Sequence, residues 1–351
     1  NFQPCYYKIS SIDTAGNESP PTEPLAAMPV KPGPTNVMDN ISLDIVWYAG
    51  ASPYIITKPV TILNKASLTI EPGCKIESQG PGLIVKGRLT ARGNPEDYIQ
   101  FSSIDKDSNA PGWQGILFDN TSDSESVLSY CKIKGAHTAL TMVSSSPEIS
   151  HCIFTENNTA IYIKEFSCPG IYENRIIQNL ETGIYSNRSE PVIEKNTITE
   201  NKNHGIIIAS GSPVIQNNNI YKNTGFDLLV ESSGSSVLSV QNNWWGTKDV
   251  IVLSDRIKGS VSYASIMDGP WPHGKPMIII LPDQIKQQMA QARNLFKKND
   301  FSSAKQILSK ILAHQPDHDT ANFLIGLIWH GEGNLAKALY HIQTAAFTDP
   351  E

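Results

Sequence analysis

Four segments of the chain begin with proline and recur every 22 residues: Pro147-Glu-Ile, Pro169-Gly-Ile, Pro191-Val-Ile and Pro213-Val-Ile. Five residues after each proline stands a small or polar residue (Cys152, Asn174, Asn196, Asn218), and two further on an apolar one (Phe154, Ile176, Ile198, Ile220). A second polar row, Asn157, Asn179, Asn201 and Asn223, keeps the same spacing. A unit of this length cannot enclose a core alone, so it must bury its apolar side by stacking on its neighbours. The period therefore predicts a solenoid in which each coil holds three short parallel strands joined by tight turns.

The asparagine rows have a physical reason at such turns. An Asn can occupy the left-handed backbone region and hydrogen-bond its own chain. Stacked coil on coil, the amides also bond one another, since each carries donors and an acceptor. Asn157, Asn174, Asn179, Asn196, Asn201, Asn218 and Asn223 are thus predicted to form structural ladders along the solenoid.

Composition shifts divide the chain. Residues 1–27 hold an alternating stretch, Tyr6 to Asp13, followed by the turn sequence Thr14-Ala-Gly-Asn-Glu-Ser19. They resemble the last two strands of a fibronectin type III domain. A Pro-containing linker is expected over 28–40, then a strand-rich region over 41–270, irregular at first and regular from Val127. Its Pro-x-Ile-x-x-Asn-x-Ile units, Pro111-Gly-Trp-Gln-Gly-Ile-Leu-Phe118 and the closing Gln241-Asn-Asn-Trp-Trp-Gly-Thr247 resemble the right-handed parallel β-helix repeat family, with its pectin-lyase-like members. That likeness implies a mainly β solenoid fold and a secreted or cell-surface bacterial protein. It does not fix an activity, because the family includes polysaccharide lyases, hydrolases, epimerases and members without known chemistry.

A second linker is expected over 271–283, and beyond it the pattern turns helical. Ala292, Leu295, Ala304, Leu308, Ile311 and Pro316 recur 34 residues later as Gly326, Trp329, Ala338, Ile342, Ala345 and Pro350. Residues 284–351 resemble two tetratricopeptide repeats, although Asn322 occupies a position where that family often has Trp. The resemblance implies a small all-α unit that binds protein.

The bulk numbers exclude some classes. With 28 basic and 34 acidic residues the net charge is −6 and no basic block stands out, so nucleic-acid binding is not expected. The longest apolar run, Met277 to Leu281, is far too short to span a bilayer. The chain opens on Asn1 without an initiator Met or signal-peptide pattern, as a processed chain or a fragment would. Five cysteines show no zinc spacing. Cys131 and Cys152 occupy equivalent repeat positions, where stacking sets them about 4.8 Å apart. That suits either a disulfide or two buried thiols.

An enzyme on this scaffold would draw carboxylates from successive coils, since adjacent coils match the roughly 5 Å separation of a retaining pair. Reading across the coils gives Tyr130, His151, Glu173, Lys195, Asn217 in one row and Gly135, Glu156, Gln178, Glu200, Lys222 in another. Neither stacks two acids; Glu173 is expected beside Lys195, and Glu200 beside Lys222. No catalytic residues are assigned. Asp105, Asp107 and Asn109 place oxygens at alternate positions, as calcium loops do, yet lack the Gly and distal Glu of an EF-hand; calcium is the one cofactor considered. Tyr162, Tyr185 and Tyr221 are candidate carbohydrate contacts, with Trp113, Trp244 and Trp245 as further aromatic platforms. One of the last two is expected to plug the final coil instead. The sequence points to a non-catalytic surface scaffold that binds a protein partner or itself through its helical repeats and N-terminal hairpin, with self-assembly into filaments as the stronger form of that expectation. The alternative is a polysaccharide lyase, hydrolase or carbohydrate-binding derivative, with Asp119, Asp123 and Glu125 in its groove.

Overall fold

The computed structural model describes residues 5–27, 31–105, 111–120, 125–231, 237–279 and 282–348. It is a right-handed parallel β-solenoid followed by helices. Three sheets of ten, nine and nine strands form its sides. Each strand pairs in parallel with the strand one coil away, as the period requires. Sheet one buries the row Leu128, Ile149, Ile171, Ile193 and Ile215; sheet two buries Ile133, Phe154, Ile176, Ile198 and Ile220. Sheet three contributes Leu140, Ile161, Ile184, Ile206 and Leu228. Branched side chains stacked in register fill the interior, and they suit extended backbone.

Each coil must turn three times inside this apolar interior, and the corners share one design. A residue with positive φ turns the chain, and the next residue sends its side chain inward to bond the neighbouring coil. At the first corner the turning residues are Tyr130, His151, Glu173, Lys195, Asn217 and Asn242, with φ between 49° and 59°. At the second they are Gly135, Glu156, Gln178, Glu200 and Lys222; at the third, Ser144, Phe166 and Arg188. The ladder asparagines are therefore not the left-handed residues, contrary to the sequence expectation. The left-handed position falls one residue earlier, where the side chain points outward, and the Asn that follows is buried.

The ladders themselves are continuous. Asn174, Asn196 and Asn218 each accept at Oδ1 from the backbone N–H of the preceding member and donate through Nδ2 to the next, at 2.8–3.0 Å. Asn243 closes this row; it lies 25 residues beyond Asn218, outside the 22-residue period. At the other end the row passes into sulfur, with the Cys131 N–H donating to Cys152 Sγ at 3.4 Å. Both thiols are free and buried. In the second ladder Asn179 Nδ2 donates to Asn201 Oδ1, and Asn201 Nδ2 to Asn223 Oδ1, each at 2.8 Å. Its last donor meets Asp227, 1% exposed, whose Oδ1 accepts from Asn223 Nδ2 at 2.8 Å. A carboxylate offers acceptors only, so it ends a row of amides correctly. Arg256 balances its charge, with Nε 3.0 Å from Oδ2. A third row runs through serines: the Ser145 N–H donates to Ser167 Oγ, and the Ser167 N–H to Ser189 Oγ, at 3.1 and 3.2 Å.

The four prolines of the repeat are buried at the entrance to sheet one. Pro fixes φ and brings no N–H that would need a partner there. Its carbonyl still serves the ladder, as Pro169 O and Pro191 O accept from Val192 and Val214 at 3.0 Å.

The two ends differ. Beyond the last coil, α1 (Val250–Arg256), Trp245 and the hairpin of Ser265–Met267 with Pro276–Ile278 cover the core. Strands Thr35–Val37 and Ile45–Trp47 are the outermost of their sheets at the other end. The first belongs to the stretch expected as linker, so the solenoid starts before residue 41. The expected second linker likewise contributes strand Pro276–Ile278. At the N-terminus Cys5–Tyr7 pairs with Leu25–Ala27 in an antiparallel hairpin. Tyr6, Tyr7, Ile9, Ile12 and Leu25 on it are each more than half exposed.

Four helices complete the chain: α2 (Pro282–Lys297), α3 (Phe301–His314), α4 (Asp319–Gly331) and α5 (Leu335–Thr348). Asp300 and Asn334 accept from the N–H three residues on, at 3.1 and 3.2 Å, capping α3 and α5 at the same phase of the 34-residue repeat. Asn322 is buried between helices, donating to Pro316 O and meeting His341 Nδ1, both at 2.8 Å. Burial holds His341 below the usual imidazole range, which favours a neutral ring at this contact.

Replacing Asn201 by Leu strands the backbone N–H of Asn179 and removes one acceptor of its Nδ2, which keeps its bond to Phe154 O. At about 1–3 kcal/mol for each unsatisfied buried group, the variant should lose ~3 kcal/mol in urea unfolding. Asn203→Leu, exposed two residues away, should stay within about 0.5 kcal/mol. Asp227→Leu leaves Arg256 without its carboxylate and the ladder without its terminal acceptor, and should cost roughly 3–5 kcal/mol. Equal urea midpoints for Asn201→Leu and Asn203→Leu would mean that the ladder contributes nothing.

Candidate functional site

The left-handed row at the first corner carries the densest outward chemistry. Because each of its residues turns the chain, its side chain projects from the corner, and neighbours on successive coils stack. Tyr98 meets Tyr130 edge-on at 5.8 Å, and Tyr130 stacks on His151 at 4.7 Å between ring centroids. Glu173 follows, its Oε2 3.6 Å from His151 Nδ1 and its Oε1 4.0 Å from Lys195 Nζ. Lys195 Nζ in turn lies 5.7 Å from the centroid of the Trp271 ring. Trp271 is clipped to sheet two by Asn219, which accepts from its N–H at 2.7 Å and donates to its carbonyl at 3.1 Å. The segment expected to be free linker thus returns to the solenoid and ends the row.

This ridge pairs charges and does not concentrate them. Glu173 is shared by His151 and Lys195, the second as the sequence pairing anticipates. Glu194 accepts from Gln216 at 2.5 Å, Glu165 pairs with Arg188 at 2.6 Å, and Glu156 lies 3.9 Å from Lys134. Glu200 accepts from Gln178 at 2.9 Å; Lys222, its expected partner, lies over the Tyr221 ring at 5.9 Å instead. Exposed pairs of this kind contribute little to stability. They do leave these particular carboxylates already occupied.

The candidate carbohydrate contacts fall in two places. Tyr162 and Tyr185 are register partners on sheet three, with ring centroids 5.0 Å apart. They continue an outward row that also holds Leu117, Thr141, Ile207 and Leu229. Burial raises the Tyr185 hydroxyl above the ordinary phenol range, so it stays protonated. Tyr221 belongs to sheet two and joins neither of them. Trp113 is no platform: it is buried, and its Nε1 donates to Lys134 O at 2.9 Å. Trp245 is the core plug, and Trp244 stays partly exposed.

The remaining candidates are separated. Asp107, Asn109 and Asp123 lie outside the described residues, and the Asp105 N–H donates to Ser103 Oγ. Asp119 pairs with Lys86 at 3.3 Å and Glu125 with Arg88 at 2.8 Å, so these acids of the irregular coils sit beside cations. His318 accepts through Nδ1 from the Ala321 N–H, capping α4. Among the described residues no group of three or more His, Cys, Asp or Glu is placed to hold a metal. Nor is any helix among them long and apolar enough to cross a membrane.

Sequence reasoning missed the serine ladder, Asn243, the Asp227–Arg256 terminus and the Trp271 clip. Serine at a spacing of 22 (Ser145, Ser167, Ser189) was available as a signal; the other three involve contacts outside the period.

Fold and surface together define a parallel β-solenoid whose first-corner ridge pairs its charges locally. A family model described as right handed beta helix region matches residues 93–244. No curated protein and no solved structure matches the chain.

Burial pushes the Cys131 thiol well above the ordinary range, and Cys131, Cys152 and Cys74 are all buried. Cys168 is exposed. In the native protein a thiol reagent at neutral pH should label Cys168 and spare these three, read by mass spectrometry. Prompt labelling of Cys131 would contradict the stacked-thiol arrangement.

Proposed function

We propose that the chain is a non-catalytic structural and interaction protein, a rigid β-helix spacer whose ends engage partners. The observation that carries this reading is where large apolar side chains are exposed. Between Leu63 and Ile278 only Phe166, Val214, Val237 and Val252 are exposed among the described residues. On the N-terminal side Tyr6, Tyr7, Ile9, Ile12, Leu25, Met38 and Leu43 are more than half exposed, and on the helical side Leu335, Leu339 and Tyr340 are. Unpartnered apolar surface usually marks an interaction site. Here it clusters at both ends, whereas the shaft carries isolated cases, of which only Phe166 and Val237 are more than half exposed. The helical end suits protein binding, as the tetratricopeptide likeness of residues 284–351 implies. The N-terminal hairpin, similar to the end of a fibronectin type III domain, is the second candidate contact. A secreted or bacterial surface location belongs to the same proposal.

The two ends are chemically unlike. One offers the outermost strands of the solenoid sheets; the other offers helices whose backbone is bonded within each helix. A strand edge is best completed by another strand, so head-to-tail filaments of this chain are less favoured than two different partners.

A carbohydrate-binding reading rests on the Tyr162–Tyr185 pair and on the ridge from Tyr98 to Trp271. Aromatic faces with polar neighbours suit sugar rings. Screening the intact chain against polysaccharides separates the readings. The scaffold reading expects no cleavage, and negative-stain microscopy should show single rods. Depolymerisation of any substrate would overturn it. Saturable binding abolished by Tyr162→Ala with Tyr185→Ala would move the assignment to a carbohydrate-binding module.

A further inference from the structure

The two helical pairs can be compared position by position through their 34-residue offset, and the comparison is asymmetric. On the side of α4 that faces the first pair stand Ala321, Ile325 and Ile328, all buried. Their equivalents on α2 are Gln287, Gln291 and Asn294, all exposed. The array thus begins with a polar face that water can cover. Its other end is the reverse. Met289 and Leu308 of the first pair are buried in the cluster that α4 completes. Their equivalents are Phe323, 48% exposed, and Ile342, part-exposed. Lys305, which reaches across to Trp329 at 4.0 Å and Glu332 at 2.7 Å, is replaced at this end by Leu339, 58% exposed. Phe323 and Leu339 lie where the first pair buries Met289 and uses Lys305 to hold α4.

We infer that the α4–α5 end of the helical unit is a docking face for an amphipathic helix of a partner protein, one presenting small and branched apolar residues at i, i+4 and i+7. The occupant follows from continuity with the interface already in the molecule: the equivalent face of the first pair is covered by α4 through Ala321, Ile325 and Ile328, which have that spacing. A helix laid in such a groove is read through these anchors. A second copy docking in the same head-to-tail sense would have to offer α2, whose matching face is Gln287, Gln291 and Asn294. Those amides would be buried without partners, at a cost that disfavours the contact. The inference rests on the scaffold reading in placing partner binding at the helical end, and it adds the site and the chemistry of the partner.

The probe is a synthetic peptide of residues 317–333, the chain's own α4, titrated against the intact chain. Binding is read by anisotropy of a fluorophore on the peptide and by hydrogen exchange of the α4–α5 amides. A free helix of this length is marginal in water, so the titration runs to about 1 mM. We expect saturable binding with protection confined to α4–α5. A peptide carrying Ile325→Gln and Ile328→Asn, the residues of α2, should bind at least about tenfold more weakly, as should the intact peptide to Phe323→Glu chain. Gln291→Glu in the chain should leave binding unchanged. Leu339→Glu, on the neighbouring helix, replaces Phe323→Glu if that variant loses helical circular dichroism. No saturable binding up to about 1 mM would overturn the inference. So would binding indifferent to Phe323 and Leu339, or a free chain that is already a dimer and becomes monomeric with Phe323→Glu. None of these outcomes touches the polysaccharide screen, so the inference and the scaffold reading fail separately.

Discussion

A solenoid core this apolar has to contain corners, and corners leave backbone N–H groups facing inward with no strand to pair with. An unpaired buried amide costs about 1–3 kcal/mol, and each coil here has three corners. The structure depends on how those groups are satisfied. Side-chain oxygens of Asn174, Asn196 and Asn218, of Asn179, Asn201 and Asn223, and of Ser167 and Ser189 accept them one coil away. With that done, the inward rows of the three sheets can be built largely from isoleucine and its relatives. The rows are only as good as their ends. One fades into thiols that resemble the surrounding hydrophobes, and another stops on a carboxylate matched by an arginine.

This division explains what the sequence discloses. The strands and inner rows are legible because their period is fixed by the geometry of stacking, which repeats exactly from coil to coil. Both asparagine rows are legible for the same reason. Asn243 is hidden because three additional residues in the preceding coil move it from a spacing of 22 to 25. Asp227 and Trp271 are hidden because they act once, at the end of a row, and nothing that happens once has a period. The left-handed residues are misplaced by one because Asn is the residue that tolerates that conformation best. Here the requirement for a buried amide takes precedence, and His151, Glu173 or Lys195 accept the turn instead.

The candidate surfaces were legible in smaller part. Rows read from the period place Glu173 beside Lys195, and the structure has them together. The same reading puts Glu200 with Lys222, but Lys222 reaches the flat face of Tyr221, which has no counterpart one coil earlier. Tyr162 and Tyr185 are 23 residues apart and still meet, because a single-residue insertion falls in the corner and leaves the strand register intact. Outward side chains are long and choose among several neighbours, so spacing alone settles only their neighbourhood.

The left-handed corner position has a further consequence. Any residue other than glycine costs something there, roughly 1–2 kcal/mol in backbone strain, and that cost depends little on what the side chain carries. One backbone site therefore accepts Tyr130, His151, Glu173, Lys195 and Asn217 in succession, an aromatic, an imidazole, an acid, a base and an amide. The inward neighbour, by contrast, must bond or pack in every coil. The solenoid thus separates a fixed grammar inside from a free vocabulary along its corners. New surface chemistry can be written there one coil at a time, at a known position and pitch, without rewriting the fold.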